Sequence, residues 1–232
     1  MKVKLIGFKN EELISPFSPS WHFCIGETDD VGINCNELKE FLLSKEEEIL
    51  SIKNKKVLDH AFGTKLGKNS TTARAGMFNV FDWDHPELSK LKKKISECHN
   101  QYYNRVIGRE CDYKLWCNCW VNIMRKGDRI KKHAHGYTAS SYLSGHFTVS
   151  CSDTKTIYIN PYDHLPEEDV IREVREENHT FSDKLYVSDN IVDKLSIFPN
   201  YVPHFTTEHT QNAERITLAF DLKPKFDSYI PL

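Results

Sequence analysis

The sequence of 232 residues has no stretch approaching the roughly 18 consecutive apolar residues of a membrane-spanning helix, so we expect no membrane span. It also has almost no excess of charge, because 31 lysines and arginines stand against 33 aspartates and glutamates. A net charge of −2 disfavours a protein whose main task is to hold duplex nucleic acid, but it permits a local basic groove. With 39% hydrophobic and 28% charged residues, the composition is that of a globular protein with one sizeable core.

A regular cysteine framework is also lacking. The seven cysteines are odd in number and irregularly spaced, at positions 24, 35, 98, 111, 117, 119 and 151. Such a set fits free thiols in a reducing compartment better than it fits disulfides. The apolar run near the amino terminus is about three residues long before Lys9 and Asn10 interrupt it, which is too short for a signal peptide. We therefore predict a cytoplasmic location.

The first 110 residues predict a helical region that wraps a β core. Apolar residues there recur at spacings of three and four, and the clearest stripe is Leu88, Leu91, Ile95, Cys98, Tyr102 and Val106. Asp84 followed by Glu87 resembles a capping box that starts this helix, and Gly108 ends it. An earlier helix is predicted to follow Asn36 as its cap.

From about residue 111 the apolar period changes to two, and β-branched and aromatic residues dominate. Eight strands are predicted, at 115–123, 130–135, 141–149, 155–160, 184–187, 194–198, 204–207 and 215–222. Turn residues separate them at the spacing of a sandwich or small barrel, and the charged insertion 166–178 is predicted to be a short exposed helix or loop. The predicted fold class is α+β and mainly β, as one domain over 1–232 with a helical region at 1–110 and a β core at 111–224.

Three histidines and an arginine are the candidate functional residues of the sequence. His133 and His135 lie two apart on a predicted strand, so both imidazoles project from one face, as two ligands of one metal ion must. Taken alone, such a pair is more often a set of surface or hydrogen-bonding histidines. Support comes from His204 at the start of a later strand and from Arg215, which heads an apolar strand. A buried arginine is costly unless it meets an anion, and its planar fork suits a carboxylate.

Five motifs follow one another along the chain: WVNIMRKGD at 120–128, HAH at 133–135, YLSG at 142–145, PNYVPH at 199–204 and ERITLAF at 214–220. Together they resemble the 2-oxoglutarate- and Fe(II)-dependent oxygenases that are common in phage and bacterial genomes. The resemblance covers roughly residues 75 to 224. It implies a double-stranded β-helix, a jelly-roll or cupin-like barrel, that holds Fe(II) at its open end and takes 2-oxoglutarate as co-substrate.

The resemblance also assigns roles to individual residues. His133 matches the first metal ligand and His204 the distal one. Arg215 and Thr217 match the pair that binds the distal carboxylate of 2-oxoglutarate. The residues implied to line the co-substrate pocket are Asn122, Tyr142 and Ser144.

His135 is a departure from the general pattern, because it stands where most of the superfamily has a carboxylate, although the resembling subgroup often has histidine there. Three neutral imidazoles leave a divalent metal its full charge, which makes a dianionic co-substrate a better electrostatic match. Alternatively, Asp128 or Asp153 supplies a carboxylate from a neighbouring turn. Two alternative functions also stay open at this point: a three-histidine iron dioxygenase that does not use 2-oxoglutarate, and a non-catalytic β-helix binding module.

The reaction implied by the resemblance is hydroxylation of a second substrate, with release of succinate and CO2. A small molecule or a protein side chain is the expected substrate, and a homodimer is compatible with the sequence. His146 has the strand parity of Ser144, so it lies either beside the metal or half-buried in the core. Candidate walls of the site are the aromatic residues Trp116, Trp120, Tyr137 and Tyr158.

Overall fold

The structure is a computed structural model that describes residues 1–9, 15–17, 22–53, 66–67, 69–112, 114–136, 141–150, 153–162, 166–176 and 184–225. Within these ranges the strands are β1 Lys4–Lys9, β2 His22–Thr28, β3 Lys114–Met124, β4 Leu143–Ser150, β5 Lys155–Ile159, β6 Leu185–Asp189, β7 Leu195–Pro199, β8 His204–Thr206 and β9 Arg215–Lys225. The α-helices are α1 Cys35–Ser44, α2 Glu46–Ser51, α3 Pro86–Ile107 and α4 Glu167–Glu176, and two short 3-10 helices lie at Thr72–Arg74 and Val80–Asp82.

The strands form two antiparallel sheets. The larger has the order β1-β2-β7-β4-β9-β3, and the smaller has the order β6-β5-β8. Side chains from both sheets share one buried cluster: Ile6, Phe8, Phe23, Ile25, Tyr158, Tyr186, Phe198 and Val202. The two sheets therefore face each other, and the inward faces of their strands line the space between them.

Helices cover the outer face of the larger sheet. Helices α1 and α3 bury Leu38, Leu91 and Ile95 against Val121 of β3 and Leu218 of β9 in the largest hydrophobic cluster. Helix α4 instead packs on the smaller sheet, where its Val170 is fully buried beside Ile157 and Phe205. Within the described ranges, none of the helices combines the length and the hydrophobicity that a bilayer crossing requires.

The mainly β architecture with a helical layer is as the sequence predicts, and seven of the eight predicted strands are present with small shifts at their ends. The exception is 130–135, where His133 forms only an isolated bridge to His204. The insertion at 166–178 contains the helix α4, and its last two residues lie outside the described part of the chain.

The prediction that residues 1–110 are helical is corrected, because β1 and β2 from this region extend the larger sheet. Strand β2 is buried along almost its whole length, so the sequence there does not alternate between apolar and polar residues. The helix caps also shift. Asn34, not Asn36, caps α1, and His85, not Asp84, caps α3, while Gly108 ends α3 with a φ of 82° as predicted.

Candidate active site

Backbone pairing brings the predicted metal ligands together. His133 and His204 form an antiparallel bridge, in which the N–H of each donates to the carbonyl of the other at 3.0 and 2.9 Å. The N–H of His135 donates to the carbonyl of Asn200 at 2.8 Å. The three histidines can each offer a ring nitrogen to one centre, and these nitrogens lie within 4.8 Å of one another.

Hydrogen bonds determine which ring nitrogen each histidine offers. Nδ1 of His133 lies 2.8 Å from the carbonyl of Lys131, and Nδ1 of His204 lies 3.0 Å from the carbonyl of Val202. A carbonyl can only accept, so Nδ1 carries the proton in both rings and Nε2 keeps its lone pair. In His135, Nδ1 lies 2.6 Å from Oδ1 of Asp221. All three rings therefore direct Nε2 at the shared centre, which is the arrangement that a divalent metal requires.

Burial keeps two of these rings in the neutral form that binds metal. Desolvation, reinforced by the neighbouring His135, lowers the pKa of His133 to about 4. Desolvation likewise lowers the pKa of His204 well below its usual value, and His133 and His135 add to the effect. Neutral imidazoles, with their protons already placed on Nδ1, are prepared ligands for Fe(II). The donor set thus fits the metal that the sequence motifs imply.

The two alternative carboxylates are engaged elsewhere. Oδ2 of Asp128 accepts the N–H of Arg125 at 2.7 Å within a turn. The carboxylate of Asp153 contacts Nδ1 of His209 at 3.2 Å and also accepts a hydrogen bond from the Thr210 hydroxyl. Among the described residues, the group that could hold a metal consists of the three histidines. The hypothesis that Asp128 or Asp153 completes the site is therefore not supported.

Strand β9 organises the rest of the pocket by alternation. Its odd-numbered residues face inward, and Asp221 at one end of this face contacts His135. Its even-numbered residues face outward, and Ile216, Leu218, Phe220 and Leu222 all lie in the core beneath the helices. The inward face therefore carries Arg215, Thr217, Ala219 and Asp221 in a row. This row runs from the buried Arg215 at one end to the metal ligands at the other.

Neighbouring strands widen this row into a polar wall. Asn122 of β3 and Thr148 of β4 stand on either side of Thr217 in the sheet. Nδ2 of Asn122 lies 3.5 Å from Oγ1 of Thr217, and Oδ1 of Asn122 accepts a hydrogen bond of 2.7 Å from Thr72. Oγ1 of Thr148 is buried without a hydrogen-bond partner among the described residues. A buried hydroxyl of this kind calls for a polar ligand, and a 2-oxoglutarate carboxylate meets that need.

Arg215 closes the inner end of the wall. Only 2% of its surface is exposed. Nε donates to Oγ1 of Thr154 at 2.7 Å, and Nη1 lies 3.0 Å from the sulfur of Met124, so both of these acceptors are uncharged. The planar fork of a guanidinium this deeply buried is suited to bind a carboxylate. The pocket thus has a buried cation at one end and the three predicted metal ligands at the other. This arrangement suits a dianion whose two carboxylates are separated.

The other predicted site residues divide between the pocket and its surroundings. Ser144 faces inward, but it contacts His135 and Asp221 instead of the Arg215 end. Tyr142 does not line the pocket. Its hydroxyl lies 2.8 Å from Nε2 of His99 in α3, and its ring packs on the core beneath the helices. That placement corrects the prediction, and its cause is that Tyr142 precedes β4 and is not held by the alternation of the strand.

Aromatic residues enclose the three histidines. The ring of Trp120 lies 5.6 Å from that of His135, and the ring of Tyr158 lies 6.0 Å from that of His204. Both were expected as walls. Trp116 is 63% exposed and lies further out on the same face of β3, and Tyr137 is outside the described residues. His146 faces inward between Ser144 and Thr148, and its ring stacks 6.4 Å from Tyr158.

The strand pattern of the sequence is sufficient to place Asp221 on the pocket face. Asp221 shares the strand parity of Arg215 and Thr217, so alternation alone places it on the pocket face. Thr72 has no comparable signal, because it comes from a short 3-10 helix whose position depends on the packing of the helical layer.

The central part of the chain matches a known sequence family. Residues 118–221 match the model of the family described as "Putative 2OG-Fe(II) oxygenase". This segment contains the His133-x-His135 pair, His204, Arg215 and Asp221. No curated protein matches the chain in sequence.

Solved structures share the fold at low sequence identity. HygX from Streptomyces hygroscopicus, solved with nickel and 2-oxoglutarate bound, has a TM-score of 0.52 and 11% identity, covering 87% of this chain and 83% of that one. A Pseudomonas putida prolyl-4-hydroxylase has a TM-score of 0.50 and 8% identity, covering 87% and 93%. AviO1 from Streptomyces viridochromogenes has a TM-score of 0.50 and 9% identity, covering 86% and 89%. At such identities the likeness shows the fold alone, and the prediction of a double-stranded β-helix is confirmed.

The family match and the geometry of the site lead to the same chemistry. The matched segment contains all three converging histidines and the buried arginine, on the fold of these oxygenases. The expected cofactor and co-substrate follow from the family. Residues 118–221 are thus similar to the 2OG-Fe(II) oxygenases, oxidoreductases that use Fe(II) and 2-oxoglutarate.

Proposed function

We propose that His133, His135 and His204 hold Fe(II), that Arg215 binds the distal carboxylate of 2-oxoglutarate, and that the enzyme hydroxylates a small molecule or a protein side chain. The observation that carries this proposal is that the three histidines and Arg215 lie along the same inward face of β9. Three Nε2 atoms converge at one end of the inward face of β9, and a buried guanidinium lies at the other end. Bound Fe(II) would couple the oxidative decarboxylation of 2-oxoglutarate by O2, which yields succinate and CO2, to oxidation of the second substrate.

Charge balance supports this assignment. Three neutral histidines leave the two positive charges of the metal uncompensated. Arg215 adds one positive charge, and the carboxylate of Asp221 removes one. The remaining two positive charges match the double negative charge of 2-oxoglutarate. The burial of Arg215 makes this match stronger than it would be at the surface.

Arg215, Thr217 and Asn122 would act by orientation. The guanidinium fork can bind a carboxylate through two hydrogen bonds, which determines the direction of the co-substrate as well as its affinity. The hydroxyl of Thr217 and the amide of Asn122 are buried beside it and can complete the hydrogen bonds of that carboxylate. Trp120 and Tyr158 exclude water around the ligands, which protects a reactive centre from side reactions.

The direction of substrate entry follows from the two ends of the pocket. Arg215 is buried at the inner end, whereas the inward face of β3 and β9 continues past Asp221 to the exposed Trp116 and Lys223, which stand opposite each other. The substrate therefore approaches from the Trp116 end.

We further propose that the chain acts as one domain in a reducing, cytoplasmic compartment. Support comes from the helical layer on the larger sheet and from six free cysteines among the described residues.

The test is an anaerobic titration of Fe(II)-loaded protein with 2-oxoglutarate, followed by the weak visible charge-transfer band that forms when a 2-oxo acid chelates Fe(II). The wild-type protein should develop the band. Arg215→Ala should need at least about tenfold more 2-oxoglutarate, because a charge-assisted pair in a buried site is lost. Arg125→Ala is the matched control, since this exposed arginine pairs with Glu46 away from the pocket.

Each outcome separates the candidate functions. Iron binding without a band would indicate a three-histidine dioxygenase that does not use 2-oxoglutarate. A protein that binds no iron would contradict the proposed metal centre and favour a binding module. A band that is equally strong in Arg215→Ala would remove Arg215 from the co-substrate site while leaving the metal centre intact.

A further inference from the structure

We propose that Asp221 is a positioning residue of the metal centre: its carboxylate holds His135 with Nε2 toward the metal and supplies, one shell further out, the negative charge that a carboxylate ligand would bring. The inference rests on the proposed function, because it assumes that the three histidines bind the metal. It concerns a residue that the sequence motifs left without a role.

The contacts around Asp221 are short and specific. Oδ1 of Asp221 lies 2.6 Å from Nδ1 of His135 and accepts a hydrogen bond of 2.6 Å from the Ser144 hydroxyl. Oγ of Ser144 also lies 3.1 Å from Nδ1 of His135. The three side chains therefore form a closed triangle on the inner face of the sheet. Within it, Ser144 is opposite Asp221 in the β4–β9 register, so the sheet itself holds the carboxylate in place.

The hydrogen bond determines the tautomer of His135. Oδ1 of Asp221 accepts the Ser144 hydroxyl at 2.6 Å and lies at the same distance from Nδ1 of His135. A carboxylate oxygen in this position acts as an acceptor toward Nδ1. Nδ1 of His135 must carry the proton, and Nε2 is left to bind the metal. The pair has the carboxylate–histidine–metal order that orients metal-binding imidazoles and raises their basicity.

His135 differs from the other two ligands in the charge of its partner. His133 and His204 donate to the backbone carbonyls of Lys131 and Val202, which are neutral. His135, at the position where the superfamily pattern has a carboxylate, donates to a carboxylate instead. The negative charge is thus retained beside the metal, although the atom that binds the metal has changed from oxygen to nitrogen. Neutral histidine with an anionic partner is a stronger donor than histidine bonded to a carbonyl.

The first experiment measures Ni(II) affinity of the full-length, metal-free protein in the absence of 2-oxoglutarate. Asp221→Asn keeps the size of the side chain and an oxygen acceptor but removes the charge, and it should weaken Ni(II) binding about tenfold. Asp221→Ala removes the acceptor as well and should weaken binding by about 10- to 100-fold. Asp189→Asn is the control, because this exposed aspartate pairs with Lys155 at the surface.

A coupling measurement distinguishes positioning from a general structural effect. If Asp221 acts through His135, Asp221→Asn should change Ni(II) affinity in the wild-type background and have no further effect in a His135→Ala background. An equal loss in both backgrounds would overturn the inference. Melting of the metal-free variants confirms that each one is folded.

A spectroscopic readout needs no variant. In the Zn(II)-loaded wild-type protein, imidazole ¹H–¹⁵N NMR should show the proton of His135 on Nδ1, further downfield than the Nδ1 protons of His133 and His204, because its acceptor is charged. A proton on Nε2 of His135, or unchanged Ni(II) affinity in both Asp221 variants, would overturn the inference while the metal centre itself stands. Failure of the wild-type protein to bind Ni(II) or Fe(II) would instead overturn the proposed function, and the inference with it.

Discussion

His133 and His204 exchange both of their backbone hydrogen bonds, at 3.0 and 2.9 Å, and their rings lie 4.4 Å apart between centroids. Two proposed metal ligands from distant parts of the chain are therefore placed by the main chain, not by their side chains. The consequence is a preformed site. Removing either imidazole leaves the backbone bridge in place, so the roles of the side chains can be tested without dismantling the fold.

His133→Ala and His204→Ala should each lower Ni(II) or Fe(II) affinity by at least about 100-fold, because a three-ligand site reduced to two loses its geometry as well as a donor. The free energy of unfolding should fall by no more than about 1–3 kcal/mol, the ordinary cost of a buried truncation. Calorimetric titration and urea unfolding measure the two effects. His22→Ala, at an exposed position in β2, is the control. Retention of metal affinity in both ligand variants would contradict the assignment.

Asn122→Asp should weaken 2-oxoglutarate binding at least about tenfold without lowering Fe(II) affinity. Asn122 is 4% exposed and stands beside Thr217, so a carboxylate there would repel the carboxylate of the co-substrate at low dielectric. The charge-transfer titration measures this change. Thr72→Val is the control, since it removes only the hydrogen bond to Asn122. Equal 2-oxoglutarate affinity in Asn122→Asp and wild type would place the co-substrate elsewhere.

Gly145→Ala should destabilise the fold by about 3 kcal/mol or more, because overpacking a rigid site forces the backbone to shift. A Cβ at Gly145 would lie 2.3 Å from Cζ of Phe220 and 2.3 Å from the carbonyl oxygen of Ser196, on the strands that flank β4. Gly7→Ala is the matched strand control, since the nearest atom to its Cβ would be 3.8 Å away. Urea unfolding compares the two, and similar stabilities would show that the sheet can separate without cost at Gly145.

His146 should make the fold sensitive to acid. Burial, followed by the charges of Arg215 and Lys194, lowers the pKa of His146 from 6.5 to about 3. Below pH 6.5 the unfolded chain takes up a proton that the folded protein refuses, so stability is present above pH 6.5 and is lost as the pH falls toward 3. Between pH 7.5 and 5.5 this residue should cost about 1 kcal/mol of unfolding free energy.

The measurement for His146 is urea unfolding of metal-free protein at the two pH values. His146→Gln should lose about 1 kcal/mol less than the wild type over this interval, since glutamine does not titrate. Identical losses would show that His146 is protonated in the folded state.

Much of the site followed from local pattern. The family resemblance indicated Arg215 and Thr217, which strand alternation places on one face, and it indicated His204 as the partner of the His133-x-His135 pair. Alternation works because it is a property of a single strand and needs no knowledge of its neighbours. The same rule applied two steps beyond Thr217 along β9 places Asp221 on this face as well.

The predictions that were wrong concern residues outside regular strands and the two strands β1 and β2. Tyr142 precedes β4, so its parity did not predict its contact with His99. The segment 130–135 has the composition of a strand but forms only isolated bridges, at Ile130 and His133. Strand β2 escaped detection because it is buried along almost its whole length and lacks alternation. Strand β1 does alternate, with Ile6 and Phe8 buried, but it is short.

The sequence by itself indicated the three candidate metal ligands and Arg215, and it predicted the strand that carries Arg215, since residue type and the two-residue period are local properties. Only the tertiary structure decided which charge stands behind His135. Asp221 reaches Nδ1 of His135 because the register of β4 with β9 aligns Ser144 with Asp221. The backbone bridge of His133 to His204 then brings His135 next to this pair. Register depends on the packing of the whole sheet, and no single segment contains it.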